Sequence, residues 1–159
     1  MANSTTNKEL YIVETSEPFS SLEIQFVPPQ INNSRDAKLQ TFTVVGRNDD
    51  LMHYISGSEK LDLELDFLSN EENRKDVYEK INWLKSLTMN DGYAGKIRNV
   101  KLVFGELFKN HIWIIKTVNP KMSNLSQQHG WMPLRASVTI NLILDPEKNR
   151  YIEDVRNGR

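Results

Sequence analysis

The stretch Leu61-Asp62-Leu63-Glu64-Leu65-Asp66-Phe67 alternates apolar and acidic residues without a break. A period of two is the period of a strand, so the Leu and Phe side chains share one face. Asp62, Glu64 and Asp66 share the other, spread over about 14 Å at roughly 3.4 Å per residue. The apolar face requires a core. The acidic face must be turned towards something else, and what that is decides much of the function.

The rest of the chain supplies partners for this strand. Leu22-Glu23-Ile24-Gln25-Phe26 alternates and stops at Pro28-Pro29, as a strand ended by prolines does. Ile31 to Lys38 is polar and irregular. Thr41 to Val45 predicts a second strand, closed by Gly46-Arg47-Asn48-Asp49-Asp50, and Lys60 to Leu68 is the third. The period then changes. Val77, Ile81, Leu84 and Leu87 or Thr88 recur at steps of three and four, which predicts one amphipathic helix over about 73–88. Ser69 to Glu72 has the form of a capping box, Asn73 is a competing start, and Asn90-Asp91-Gly92 supplies a stop. Strands resume at 100–104 and 111–118, joined by a short connection with Gly105. After a polar loop from Ser123 to Pro133 comes 134–144, where Leu134, Ala136, Val138, Ile140, Leu142 and Leu144 share one face. Strands, one helix and strands again make an α+β fold, mainly antiparallel.

Residues 1–159 suit a single domain with a core over about 20–145. The N-terminal arm, 1–19, and the C-terminal tail, 146–159, are polar enough to be expected flexible or ordered by a partner. No apolar run reaches the length of a membrane span and the N-terminus has no signal-peptide core, which points to the cytoplasm or a particle assembled there. The formal net charge of −1 argues against a protein that grips nucleic acid through a strong positive field. The absence of cysteine excludes thiol catalysis, disulfides and thiolate metal sites.

Catalytic constellations are few. Same-face carboxylates on a flat strand lie about 7 Å apart, too far for neighbours alone to hold one cation, so Asp62, Glu64 and Asp66 read as a solvated or channel-facing row. His53, His111 and His129 are scattered, and no nucleophile elbow or phosphate-cradling Gly-rich loop accompanies them. Lys96, Arg98, Lys101, Lys109, Lys116 and Lys121 surround Phe108 and Trp113, as in a stacking surface for nucleic acid. Trp113 lies among Ile112, Ile114 and Ile115, however, and burial in a core or interface is the stronger reading. Trp83 falls beside the helix's apolar stripe, which suits core edge and subunit contact equally. No catalytic residue, metal site or cofactor is expected.

Taken in order, these segments resemble the tube-type proteins of contractile phage tails and related contractile injection systems. The opening, Leu22-Glu23-Ile24-Gln25-Phe26-Val27-Pro28-Pro29, is similar to the family's L-x-I-x-F-N-P. Val100-Lys101-Leu102-Val103-Phe104-Gly105 is similar to V-x-F-x-W-G, with Phe104 in place of Trp. Phe108 to Val118 resembles the hairpin return, with His111-Ile112 where Gly-Val is usual. Met132-Pro133-Leu134-Arg135-Ala136-Ser137-Val138-Thr139-Ile140 is similar to G-x-P-x-R-A-x-V-x-L. The resemblance spans roughly 20–145.

It implies a β-sandwich or barrel-type subunit with one helix, assembled as a homo-hexameric ring whose inner strands form a continuous barrel. The ring would belong to the tail tube, its initiator or the baseplate hub of a virion tail, assembled in the host cytoplasm. Its partners would be neighbouring tube, hub and sheath proteins, with DNA or cargo in transient passage and no membrane. On that reading Asp62, Glu64 and Asp66 face the lumen, where acidic or neutral groups let phosphates slide. The polar stretch 31–58 is expected to be a loop, its cluster Leu51, Met52, His53, Tyr54 and Ile55 ordering, with Trp83, against adjacent subunits or rings. The uncharged strand 134–144 would be an edge that ring closure pairs. A monomeric α+β binding domain or enzyme is the alternative.

Overall fold

The computed structural model describes residues 10–89, 97–145 and 151–157. Seven strands form one antiparallel sheet: β1 (Tyr11–Glu14), β2 (Ser21–Glu23), β3 (Ile31–Phe42), β4 (Leu51–Leu68), β5 (Asn99–Val103), β6 (Ile112–Ser123) and β7 (Arg135–Leu144). Their order across the sheet is β2-β1-β5-β6-β7-β4-β3, with two open ends. Helix α1 (Lys75–Ser86) packs against β6 and β7, and a short helix α2 (Ile152–Arg156) follows near the C-terminus. This is the α+β, mainly antiparallel fold expected.

The alternation that opened the chain builds the core. Leu61, Leu63, Leu65 and Phe67 of β4 are buried, and their β7 partners Leu142, Ile140, Val138 and Ala136 lie opposite them, buried too. Val77, Ile81, Leu84 and Leu87 of the helix segment close this face, all fully buried. Ile12, Leu22, Ile24, Val100, Leu102, Trp113 and Ile115 complete it.

The helix begins differently from the expectation. Asn70 Oδ1 accepts from Asn73 N at 2.9 Å and caps a 3-10 turn, Glu71–Asn73, that leads into α1. Neither Ser69 nor Asn73 caps α1 itself; Arg74 stands there instead, without a side-chain cap. Arg74 is buried for another purpose: its Nη1 donates to the carbonyls of Asn124 and Met132, at 2.8 and 3.2 Å, and fastens the loop before β7. The expected helix stop at Asn90-Asp91-Gly92 lies outside the described residues.

Four further expectations are corrected. Residues 31–58 are not an irregular loop: β3 and β4 form a long hairpin, paired from Ile31↔Leu63 to Phe42↔Leu51. Sequence alternation is weak there because neither face of that ribbon is buried. β1 lies within the segment read as an arm, yet Ile12 is fully buried and pairs with Leu22 on one side and Leu102 on the other. β6 runs on through Pro120 to Ser123, beyond the expected end at Val118. Strand 134–144 is no edge: β7 lies between β6 and β4, hydrogen-bonded to both.

Two irregularities set which side chain faces which way. In β6 the register shifts between Ile115 and Thr117, so Trp113 and Ile115 face the core and, past the shift, Val118, Pro120 and Met122 do. Lys116 is the extra residue. Were Lys116 paired as an ordinary strand residue, Thr117, Asn119 and Lys121 would turn inward, because a one-residue slip exchanges the faces of a strand. In β4 the shift falls opposite Lys38/Leu39, where Lys38 pairs with Ser56 and Leu39 with Tyr54, leaving Ile55 as the extra residue.

Candidate assembly surface

The bulge at Lys116 creates a continuous polar wall on the face away from the helix. Its rows are Asp62–Asn141–Thr117, Glu64–Thr139–Asn119 and Asp66–Ser137–Lys121, each crossing β4, β7 and β6. Ser137 Oγ donates to Glu64 Oε1 at 3.1 Å. Among the described residues no ion pair involves Asp62, Glu64 or Asp66. The three acids therefore form one column beside a neutral column, with Lys121 two strands away from Asp66. Lys60 and Asp62 line a shallow depression with Lys116, Thr117 and Asn141.

Above this wall the β3–β4 hairpin leaves the sheet. β7 pairs with β4 only from Lys60 to Leu68, so residues 35–42 and 51–59 stand as a two-stranded ribbon. Such ribbons have little stability of their own. This one presents Leu39, Phe42, Leu51, Met52, Tyr54 and Ile55, all exposed. The cross-strand pairs sort them. Leu39, Tyr54 and Met52 lie on the face continuous with Leu61, and Phe42, Leu51 and His53 on the face continuous with Asp62. The bulge at Ile55 makes that assignment, which alternation alone would reverse. Near the bulge, a Cβ on Gly57 would stand 2.7 Å from Tyr54 Oη and 3.0 Å from Arg35 Nη2. Glycine is thus what lets Tyr54 fold down onto the ribbon.

Sheet edges are the third feature. β3 has no strand on its outer side, and beyond Ile114 neither has β6, since β5 pairs only with Ile112 to Ile114. The two open edges are staggered. Val118 of β6 is level, through Ile140 and Leu63, with Ile31 at the very start of β3. At the lower end of β4, where β3 no longer reaches, Gln25 takes its place: Nε2 donates to Leu68 O and Oε1 accepts from Leu68 N, both at 2.9 Å.

The remaining candidates separate. Trp83 is partly buried against the core, and Trp113 is fully buried, edge-on to Phe108 and stacked on His111. Neither Phe108 nor Trp113 is available as a stacking platform. Arg98 pairs with Glu14 at 3.5 Å and Lys109 with Glu106 at 3.4 Å, while Lys96 lies outside the described residues. His53 is on the ribbon and His129 in a 3-10 turn, its Nδ1 3.2 Å from Ser126 Oγ. Among the described residues no group of three His, Cys, Asp or Glu side chains could hold a metal ion. Sequence reading missed the staggered edges entirely; the proline in β6 was the available signal, because strand prolines favour edges.

No protein-family model and no curated protein matches the sequence. Among solved structures, the SPP1 Dit (gp 19.1) protein, described as a paradigm of the hub adsorption apparatus in phages that infect Gram-positive bacteria, is similar over 86% of this chain, with TM-score 0.52 and 10% identity. The chain spans 50% of the length of that protein. A chain of the native gene transfer agent virion is similar over 87% of this chain and 92% of its own, with TM-score 0.44 and 12% identity. A chain of the anti-feeding prophage baseplate is similar over 86% of this chain and 87% of its own, with TM-score 0.45 and 12% identity. The first likeness establishes the fold alone: the chain shares that of the matching part of the hub protein, in keeping with the α+β, mainly antiparallel arrangement expected from the order of sequence segments.

Proposed function

We propose that this chain is a structural subunit of a contractile phage tail or injection machine, forming a homo-hexameric ring of the tail tube or of its baseplate-proximal hub. The observation that supports this best is the pair of open, staggered edges on β3 and β6. Strands β3, β4, β7 and β6 alternate in direction, so β6 of one copy laid beside β3 of the next continues the antiparallel pattern. A barrel closes only when its strands are staggered and tilted. Pairing 117–122 with about 31–36 of the neighbour shifts each four-strand unit by about four residues, an even number that keeps polar face beside polar face, and gives a tilt of about 35° at ordinary strand spacings. Closed barrels have tilts in this range. Pro120 removes one donor from the seam and leaves its carbonyls in place.

In such a ring one sheet face meets the helix and the other lines the channel. The polar wall is the channel face, and Asp62, Glu64 and Asp66 repeat around it by symmetry. The three carboxylates and the neutral column repel or ignore passing phosphates along the middle of the wall, while its cations, Lys60, Lys121 and Arg135, lie towards its two ends, so DNA or cargo slides without specific binding. The ribbon, with Leu51, Met52, His53, Tyr54 and Ile55, reaches beyond the ring to neighbouring tube, hub or sheath proteins, and Trp83 presents its exposed part to an adjacent subunit. The role is mechanical, with no catalytic residue and no cofactor, in a virion tail assembled in the host cytoplasm.

Light scattering combined with negative-stain imaging tests the reading. Annular particles whose mass is six times that of the chain are expected as concentration rises. A monodisperse monomer at every concentration, with rapid amide exchange along both the β3 and β6 edges, would overturn it.

A further inference from the structure

The two ends of β4 carry features that fit one another. At one end, Val44 to Arg47 form the turn of the long hairpin, with Arg47 N donating to Val44 O at 3.2 Å and Gly46 at φ +89°. That geometry places Val45 at the corner of the turn, where it is 100% exposed. Val44 and Phe42 beside it are exposed too, so the tip presents a small apolar cluster rather than a lone side chain. Arg47, Asp49 and Asp50 flank it.

The other end holds a depression of about 390 Å³, lined by Phe26, Phe67, Leu68, Asp66 and Arg135. Phe67 is its buried floor, and Phe26 and Leu68 are exposed apolar walls. Leu68 pairs with Arg135 at the last rung of the β4–β7 ladder, roughly 55 Å along the strand from the turn. Among the described residues, none of Arg47, Asp49, Asp50, Asp66 and Arg135 is in an ion pair. The tip thus offers an apolar corner, one cation and two acids; the depression offers apolar walls, one acid and one cation.

We propose that the Val44–Arg47 turn of one copy inserts into the Phe26/Leu68 depression of a second copy in the next ring, with Arg47 meeting Asp66 and Asp49 or Asp50 meeting Arg135. This rests on the ring reading and adds its stacking contact. Because knob and socket are different patches at opposite ends of one subunit, the contact is head-to-tail and does not close on itself, which is the condition for a stack of rings. The apolar corner supplies the burial, and the charges fix orientation.

The chain has no cysteine, so engineered pairs report without background. Val45→Cys and Leu68→Cys alter exposed side chains only. Under mild oxidation of the full chain, an equimolar mixture of the two single variants should give covalent dimers, and the double variant a ladder of higher species. Neither single variant should cross-link alone. Arg47→Glu or Asp66→Lys, placed in the double variant, should lower ladder yield about fivefold, as loss of an exposed pair worth about 1 kcal/mol would. Combining the two reversals should restore it. Rings seen by imaging without a ladder would overturn the stacking contact and leave the ring reading intact. A ladder without rings would do the reverse. Cross-linking in Val45→Cys alone would mean a tip-to-tip contact and would also overturn the proposal.

Discussion

Trp83 Nε1 donates to Ser20 Oγ at 2.9 Å, and that hydroxyl donates in turn to Glu14 Oε2 at 2.7 Å. Arg98 approaches the other carboxylate oxygen of Glu14 at 3.5 Å. The chain of contacts ties α1 to the β1–β2 turn and to the start of β5, and Glu14 is almost fully buried within it. Trp83→Phe keeps the ring and removes the donor, so chemical denaturation should show a loss of about 1 kcal/mol. Glu14→Ala removes the acceptor of the Ser20 hydroxyl and the carboxylate beside the partly buried Arg98, whose Nη1 keeps its bond to Glu17 O, and should cost about 1–3 kcal/mol.

Leu84 is fully buried on the face of α1 that meets the sheet. Leu84→Ala should destabilise the subunit by about 2–5 kcal/mol, the cost of a truncation that leaves a cavity. Equilibrium denaturation measures it, and a loss below about 0.5 kcal/mol would place that face in solvent.

The helix phase and the central strands were legible in the sequence because each has one face in water and one in the core. Leu61 to Phe67 and Ala136 to Leu142 alternate for that reason, and Val77, Ile81 and Leu84 step by helical turns. Where both faces of an element are wet, as in the ribbon from Asn33 to Phe42, burial imposes no period, and the strand was invisible. The polar wall was half legible. Its acids follow from alternation, whereas Thr117, Asn119 and Lys121 join them only through an extra residue at Lys116, which no local pattern marks. The edges depend on which strands pair across long separations, and a single sequence does not encode that openly.

Lys116 offers a sharp test of register. Lys116→Ala should be within about 0.5 kcal/mol of the parent, because the bulged side chain is exposed. Deleting Lys116 and Thr117 together should instead unfold the subunit or cost several kcal/mol, since Val118 and Met122 would then exchange faces with Asn119 and Lys121, whereas in a strand without a bulge a two-residue deletion would keep the faces. Thermal denaturation of both variants distinguishes the two outcomes. Equal effects would remove the bulge from the account.

The ribbon should be separable from the fold. Replacing 39–55 by a two-residue Asn-Gly turn joins Lys38 to its partner Ser56 and removes the exposed apolar tip. Circular dichroism should show a folded subunit within about 1 kcal/mol of the parent, while light scattering shows assembly lost. An unfolded product would place the ribbon in the core, and intact assembly would deny it a contact role.

The most direct test is a map of the assembled particle by electron cryomicroscopy. The central claim is that the bulged sheet turns its polar face to a channel closed by β3–β6 pairing. The map should place Asp62, Glu64 and Asp66 on the inner wall, with β6 of each subunit beside β3 of the next. Asp62 and Glu64 on the outer wall, or against lysines of a neighbour, would contradict it, as would Asp66 anywhere but at the rim of the inner wall.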